Sequence, residues 1–196
     1  MAGIQKAKSE ETQRRVLEAA VRAVEQGGME AVQIRKIASE AGYSVGSVYK
    51  HYEDQDALLV AVNTVTLERI RSAVSDAVVG KSDPLDLLKT LARTYRDFAQ
   101  DNTNLWTTLF SHHLPEGTPA PESHIQGNIA LLAFIAAPLR QLAPELSDED
   151  LAARTRTCFA AVHGLVAISL EDRFIGLSDE VMDRELMFLV ERLAGS

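Results

Sequence analysis

The sequence predicts an all-α protein of about nine helices, and three observations support this fold class. Apolar residues recur at spacings of three and four through most of the 196-residue chain. Capping residues and glycines stand at the ends of these periodic segments. No convincing alternation of apolar and polar residues, which is typical of strands, occurs along the chain.

The first two helices are expected between Ser9 and Gly42. Ser9 precedes two glutamates and would cap a helix that the Gly27-Gly28 pair ends, so residues 1–8 are expected to be disordered. After a short connection, an apolar face of about two turns begins at Ile34. Gly42 stands where a left-handed residue would end this second helix.

Two further helices follow the second one closely. Ser44 would cap a short third helix whose Val48 and Tyr52 share one face. Asp54 would cap a longer fourth helix, which ends at Gly80. This part of the chain therefore predicts short helices joined by tight turns.

Five more helices are expected beyond residue 82, separated by a proline-rich loop at residues 115–121. The first of them is expected to start at Asp83-Pro84, and the second to cover about residues 105–114. The other three are expected in a segment that includes residues 129–142, from residue 147 to about 174, and from residue 178 onward. The segment at 129–142 has no clear polar face, so we expect it to be central rather than superficial.

Length and composition are those of a globular protein with one or two domains. Hydrophobic residues make up 46% of the chain and charged residues 24%. The longest nearly apolar run, residues 129–139, is about half as long as a spanning helix, so we expect no membrane partner. The N-terminus lacks the apolar core of a secretory signal, and Cys158 is the single cysteine. We therefore expect a cytoplasmic protein without an intrachain disulfide.

The net charge of −8 is distributed unevenly along the chain. A negative sum would argue against nucleic acid as a partner, but residues 1–55 contain eight basic and eight acidic side chains. The remaining 141 residues contain twelve basic and twenty acidic side chains. We therefore expect two domains with different functions, at residues 1–54 and 55–196.

Residues 42–46 read Gly-Tyr-Ser-Val-Gly and match the G-x-S-x-G pattern around the nucleophile of many serine hydrolases. That nucleophile requires a sharp turn between a buried strand and a helix. Here an amphipathic helix is expected to precede Ser44, and no strands are expected to form a sheet. A hydrolase that uses Ser44 is one interpretation, and it predicts esterase turnover that Ser44→Ala abolishes.

The other interpretation is a helix-turn-helix, in which the second short helix enters the major groove of DNA. Gly46 would let the backbone approach DNA closely, and the hydroxyls of Ser44 and Ser47 would donate to phosphates or base edges. The outer face of that helix combines a phenol, a cation and an imidazole, which suit contacts to phosphates, thymine methyls and base edges. These side chains are Tyr49, Lys50 and His51.

Residues 34–59, IRKIASEAGYSVGSVYKHYEDQDALL, resemble the DNA-binding signature of TetR-family transcriptional regulators, and the resemblance extends back to Val16. It implies an all-helical homodimer of about nine helices, with a three-helix DNA-binding domain and a larger domain that binds a small molecule. Residues 157–174, TCFAAVHGLVAISLEDRF, are similar to the Trp-His-Gly type of C-terminal domain, with Val162 in the place of the tryptophan.

The resemblance implies which residues contact DNA. The corresponding positions are Gln33, Ser44, Val45, Gly46, Ser47, Tyr49, Lys50, His51 and Gln55. Three of them depart from the family pattern, since Val45 replaces an often basic residue, Gln55 a lysine, and Gln33 a threonine or serine cap. The loss of two cationic contacts should lower phosphate affinity and flatten the salt dependence.

The second domain is expected to form the dimer and to bind an effector. A two-fold dimer would read the half-sites of a palindromic operator, about 34 to 36 Å apart. The last two helices are the expected interface, because residues 157–174 are apolar around more than one face and Gly164 allows close helix approach. An apolar or aromatic effector would contact the rings of this domain. The expected lining residues are Trp106, Phe110, Phe134, Phe159 and His163.

Three histidines in the middle of the chain do not predict a metal site. His112 and His113 are adjacent, so they point in different directions on a helix. No carboxylate stands at ligand spacing from them or from His124. We expect neither a metal nor a cofactor.

The sequence as a whole predicts a ligand-responsive DNA-binding transcriptional regulator rather than an enzyme. Repression that a small hydrophobic ligand relieves is the commoner behaviour in the family it resembles. Two alternatives stay open: the hydrolase that uses Ser44, and a helical dimer that has lost specific DNA binding through the changes at Val45 and Gln55.

Overall fold

A computed structural model describes residues 2–170 and 177–195, and these residues form nine α-helices, one 3₁₀ turn and no strand. The predicted all-α fold is therefore confirmed. The helices are α1 (Ala2–Gly27), α2 (Ile34–Ala41), α3 (Val45–Tyr49), α4 (Gln55–Ala77), α5 (Pro84–Asp101), α6 (Thr103–Ser111), α7 (Glu122–Leu142), α8 (Asp148–Leu170) and α9 (Asp179–Ala194); the 3₁₀ turn is Met29–Ala31.

The chain folds into two compact units that no single boundary separates. The first unit contains Met1–Thr66 and Asn102–His124, and the second contains Leu67–Asp101 and Ile125–Ser196. α4 therefore contributes residues to both units, and α6 belongs to the first. The expected boundary between residues 54 and 55 concerns the functions of the two domains rather than their contacts, so it stays a prediction.

The core of the first unit combines one apolar face from each of five helices. Val16 of α1, Ile37 of α2, Val48 of α3, Leu58 of α4 and Leu105 of α6 belong to one cluster, and each is almost fully buried. Burial of each such side chain contributes about 1.5 to 3 kcal/mol. The short helices α2 and α3 are therefore held by tertiary packing, since helices of this length are unstable alone.

The end of α2 and the beginnings of α3 and α4 follow the predicted caps. Gly42 has a φ of 78° and ends α2, as expected from the tolerance of glycine for left-handed backbone. Ser44 Oγ accepts a hydrogen bond from the Ser47 backbone N–H at 3.2 Å and begins α3. Asp54 Oδ1 accepts from the Ala57 N–H at 2.7 Å and caps α4.

α1 begins earlier than the sequence indicated. The expected start at Ser9 is wrong, and residues 2–8, which were expected to be disordered, are helical. Alanine, glutamine and lysine in this segment favour a helix. In addition, Thr12 Oγ1 donates to the Lys8 carbonyl at 2.8 Å, and Lys6 Nζ lies 3.9 Å from the Glu10 carboxylate.

The second unit is built mainly from α5, α8 and α9, which pack against one another. Their buried faces contain Leu88, Leu91 and Tyr95 of α5, Val162 and Val166 of α8, and Met182, Leu186 and Val190 of α9. Arg93 and Arg96 of α5 both donate to the Asp183 carboxylate of α9, and the hydrogen bond from Arg93 is the main reason that the pKa of Asp183 is lowered. The expected continuation of α8 to Phe174 falls on residues 171–176, outside the described residues.

α7 is not the central helix that the sequence predicted. Pro138 and Leu139 are its buried residues, whereas Ile125 and Ile129 are 42% and 54% exposed. The prediction was wrong because the pattern of apolar residues shows which surface of a helix is apolar, but not whether the rest of the chain covers it.

By length and composition alone, α7 would also be able to cross a membrane. This is weak evidence, because apolar helices of soluble proteins pass the same test. The expected lack of a membrane partner therefore stays a prediction.

Candidate nucleic-acid interface

α2 and α3 form two short helices joined by residues 42–44. The Tyr43 N–H donates to the Ala38 carbonyl at 2.8 Å, which closes the turn after α2. Val48 is fully buried, and this fixes which face of α3 meets the core. Tyr49, which is 51% exposed, and Lys50 lie on the outer side. The pair has the geometry of a helix-turn-helix.

Two tyrosines hold this pair of helices against α1. Tyr52 is 5% exposed, and its burial raises the pKa of its phenol despite a hydrogen bond with the side chain of Gln13. The guanidinium of Arg15 lies 5.7 Å from the centre of the Tyr43 ring, in the range of a cation–π contact. The orientation of α3 is thus fixed by aromatic residues on both sides of it.

Ser44 has the environment of a helix cap. Its Oγ lies 2.9 Å from Ser47 Oγ and accepts from the Ser47 N–H. A nucleophile elbow places its serine directly after a buried strand, but α2 precedes Ser44 and the described part of the chain contains no strand. The elbow geometry that a serine hydrolase requires is absent here.

Gly46 is not required by the fold itself. It lies in α3 without a left-handed backbone, and an added Cβ would meet nothing closer than Ser44 Oγ at 3.9 Å. The small residue therefore leaves room on the outer surface of α3 rather than inside the unit. This agrees with the expectation that another molecule approaches the backbone at Gly46.

The other predicted contact positions surround α3. Val45 is partly buried against the core of the first unit, which gives a packing reason for an apolar residue there. Gln33 is the exposed N-cap residue of α2, and its side chain makes no capping hydrogen bond. Gln55 is exposed in the first turn of α4, and His51 is half-buried just beyond α3.

Arg35 and Lys36 of α2 are candidate contacts that the sequence analysis missed. Both are exposed, and the ion pairs formed within the described ranges involve neither them nor Lys50. In contrast, the Arg14 guanidinium binds Glu11 and Glu18, and Arg22 binds Glu40. The sequence signal that could have identified these contacts is a pair of adjacent cations directly before the buried Ile37. Although residues 1–55 are neutral in sum, pairing within α1 and α2 leaves the α2–α3 surface positive.

The predicted effector-lining residues form two separate groups of contacts. In the first unit, Trp106 is 5% exposed and its ring centroid lies 5.0 Å from that of Phe110. In the second unit, the ring centroids of Phe159 and His163 lie 5.6 Å apart, and His163 Nδ1 is 2.8 Å from the Tyr95 hydroxyl oxygen. Burial lowers the pKa of His163.

Phe134 is half-buried on α7. Tyr95, which lies beside His163, was not among the predicted lining residues, since its spacing in the sequence is that of an ordinary core residue of α5.

Within the described ranges, no group of three or more His, Cys, Asp or Glu side chains is arranged to hold a metal ion.

Two short helices, a left-handed glycine turn and an exposed cationic face together define a helix-turn-helix DNA-binding protein. The sequence profile described as "Bacterial regulatory proteins, tetR family" matches residues 16–62, and the profile described as "Tetracyclin repressor-like, C-terminal domain" matches residues 88–193. The chain therefore belongs to the TetR family, and it is a DNA-binding transcriptional regulator.

Individual relatives agree with this assignment. The HTH-type transcriptional regulator PksA of Bacillus subtilis is 25% identical over 94% of this chain and 90% of its own length. The HTH-type transcriptional repressor KstR of Mycolicibacterium smegmatis is 32% identical over 40% of this chain and 38% of its own length. The solved structure of the regulator FadR from Bacillus subtilis, in complex with stearoyl-CoA, is 14% identical and covers 93% of this chain and 98% of its own, with a TM-score of 0.71. At that identity, the structural likeness shows the fold alone.

Proposed function

We propose that α3 is the recognition helix of a transcriptional repressor and that it enters the major groove of its operator. The observation that carries this proposal is the outer face of α3, where Tyr49 and Lys50 are exposed above a fully buried Val48. A residue with no structural partner on a rigid, core-anchored helix is available for a ligand. The exposed Ser44, the half-buried Ser47 and the open surface at Gly46 extend the same face.

The remaining contacts would position the protein on the phosphates. Arg35 and Lys36 supply two cations at the start of α2, which compensates for the absence of basic residues at Val45 and Gln55. Gln33, Gln55 and His51 would donate hydrogen bonds from the rim of the same surface. DNA binding of this kind also implies a cytoplasmic location in a bacterium.

Operator recognition would require a homodimer formed through α8 and α9. One short recognition helix contacts too few bases to select a site, so two half-sites are needed. A face of mainly small residues on α8 supports this interface, since these uncharged side chains are exposed or half-exposed along four turns. They are Ala153, Thr157, Ala160, Gly164 and Ile168. An added Cβ at Gly164 would meet nothing within 4 Å, and Phe188 of α9 is 52% exposed.

We further propose that a largely apolar small molecule releases the repressor from DNA. FadR is solved with stearoyl-CoA, and the aromatic side chains of Phe159 and Tyr95 with the imidazole of His163 would suit an apolar ligand that carries one hydrogen-bonding group. Trp106, Phe110 and Phe134 stay candidates for the same role. The ligand would act by favouring a conformation with misplaced recognition helices, and DNA would then weaken the ligand by the same factor.

The test is a titration of the full-length protein against a duplex that it selects from random-sequence DNA, beside a scrambled duplex, at about 150 mM salt. We expect the selected duplex to bind about 10³-fold or more tightly. Lys50→Ala should weaken binding, and Lys81→Ala, which removes the same charge from an ion pair with Asp86, should not. Equal, weak binding to both duplexes would instead support a helical dimer without specific DNA binding.

A further inference from the structure

The imidazole of His112 connects the end of α6 to the beginning of α4. Its Nε2 lies 3.0 Å from Asp56 Oδ1, and its Nδ1 lies 3.4 Å from Asn63 Nδ2. The side chain of His112 is only 5% exposed, and Asn63 is 3% exposed. Because Asp56 and Asn63 are seven residues apart, they lie on the same face of α4, one on each side of the ring. These three residues form what we call the His112 latch.

Both ring nitrogens of His112 have a partner in the His112 latch. A carboxylate only accepts, so the proton on Nε2 points to Asp56 and, in the neutral ring, Nδ1 accepts from the Asn63 amide. Neither nitrogen is then available to a metal. The amide oxygen of Asn63 is buried and has no hydrogen-bond partner among the described residues, so this polar arrangement is not optimal for stability. A buried polar side chain in such a place orients its hydrogen-bond partners rather than adding apolar packing.

α6 is held at its other end by α1. The Asn104 Nδ2 donates to the Glu25 carbonyl at 2.9 Å, and Leu105 is 1% exposed in the same core as Val48. α6 therefore extends from the end of α1 to the beginning of α4, and the recognition helix α3 lies directly before that point in the chain. Any displacement of the first two turns of α4 would change the position of Gln55.

The His112 latch also sets the direction of the negatively charged Asp56 carboxylate. It follows Gln55, which lies on the proposed phosphate-facing surface, and its side chain is 40% exposed. In the His112 latch, one carboxylate oxygen points to a buried N–H. Without His112, the carboxylate would be free to turn outward, where it would repel the DNA backbone.

We propose that His112 is a positioning residue for operator binding: it fixes the first two turns of α4 and turns the Asp56 carboxylate away from the DNA. The inference rests on the proposed function, because it takes Gln55 and α3 as the DNA-facing surface. His112 itself does not contact DNA.

The experiment measures the affinity of the full-length protein for the duplex that it selects from random-sequence DNA. His112→Ala should weaken binding about tenfold or more, since a hydrogen bond to a charged group is lost. His112→Gln, whose amide nitrogen can take the place of Nε2, should recover most of the affinity. His113→Ala is the matched control, because the side chain of this exposed neighbour bonds, among the described residues, to the Ser111 carbonyl alone. This variant should bind the duplex like the wild type.

A second variant separates positioning from loss of stability. In His112→Ala combined with Asp56→Asn, removal of the carboxylate should restore part of the lost affinity, which a merely destabilised unit would not show. Equal affinity of His112→Ala and the wild type, or a loss that neither His112→Gln nor the added Asp56→Asn reverses, would overturn the inference. Lys50→Ala on the same duplex tests the proposed function separately: if it has no effect, the DNA-facing surface is wrongly assigned.

Discussion

Asn104 donates a hydrogen bond from Nδ2 to the main-chain carbonyl of Glu25, at 2.9 Å and across 79 residues of sequence. The Glu25 carbonyl lies in the last turn of α1, a position where helix carbonyls commonly accept from groups outside the helix. The bond therefore ties α6 to the end of α1 and makes α6 a fifth helix of the unit that carries the recognition helix.

Truncation of Leu105 tests whether α6 stabilises the DNA-binding unit. Leu105→Ala should lower the free energy of unfolding by about 2 to 5 kcal/mol, because it opens a cavity in a closed core. Chemical denaturation measures the change. Leu142→Ala removes the same atoms from a residue that is 37% exposed and should cost much less. Equal losses would mean that α6 is not part of that core.

The cap of α3 gives a second prediction. Ser44→Ala removes the acceptor of the Ser47 N–H and should cost about 0.5 to 2 kcal/mol, as well as weakening operator binding. Ser178→Ala is the matched control, since Ser178 precedes α9 without a side-chain capping bond and should change stability little. If the wild type instead showed esterase turnover that Ser44→Ala abolished, the hydrolase interpretation would be correct.

Position 55 tests the phosphate contacts. Gln55→Lys should add one ionic contact and steepen the slope of log K against log salt by about 0.9. Gln141→Lys adds the same charge to an exposed position on α7 and should leave the slope unchanged. An unchanged slope for Gln55→Lys would show that this position does not reach the DNA backbone.

The small-residue face of α8 tests the dimer. Ala160→Glu would bury a charge against its symmetry mate, so the mass in solution should shift from dimer to monomer at micromolar concentration. Ala133→Glu, at an exposed position of α7, should remain dimeric. A wild-type protein that sedimented as a monomer would contradict the proposed interface.

Stability in acid should depend on His163. Its pKa is lowered by burial from the usual 6.5, so below about pH 6.5 the unfolded chain binds a proton that the folded chain does not. Stability is therefore unaffected above that pH and falls as the pH drops towards the folded-state pKa. His163→Gln should reduce the loss of unfolding free energy between roughly pH 7 and pH 5. Tyr95→Phe, which keeps an aromatic ring beside His163, should keep most of the acid loss, because burial is the main cause of the lowered pKa.

The sequence by itself determined the fold class and the helix-turn-helix. Gly42, Ser44 and Asp54 act as turn and cap residues as predicted, because each interacts with backbone groups within four residues of itself. The start of α1 was misjudged even though it is local, since Ser9 is a good cap in isolation but the helix-forming residues before it extend the helix.

Only the tertiary structure decided which distant segments share a unit. That α6 joins the first unit, that His112 reaches Asn63 across 49 residues, and that α7 buries Pro138 and Leu139 but not the rest of its apolar surface all depend on contacts between segments far apart in the chain. Apolar periodicity marks a face as suited to burial, and the rest of the chain decides what covers it. Likewise, only the folded structure shows that Arg22 is paired with Glu40, whereas Arg35 and Lys36 form no ion pair within the described ranges.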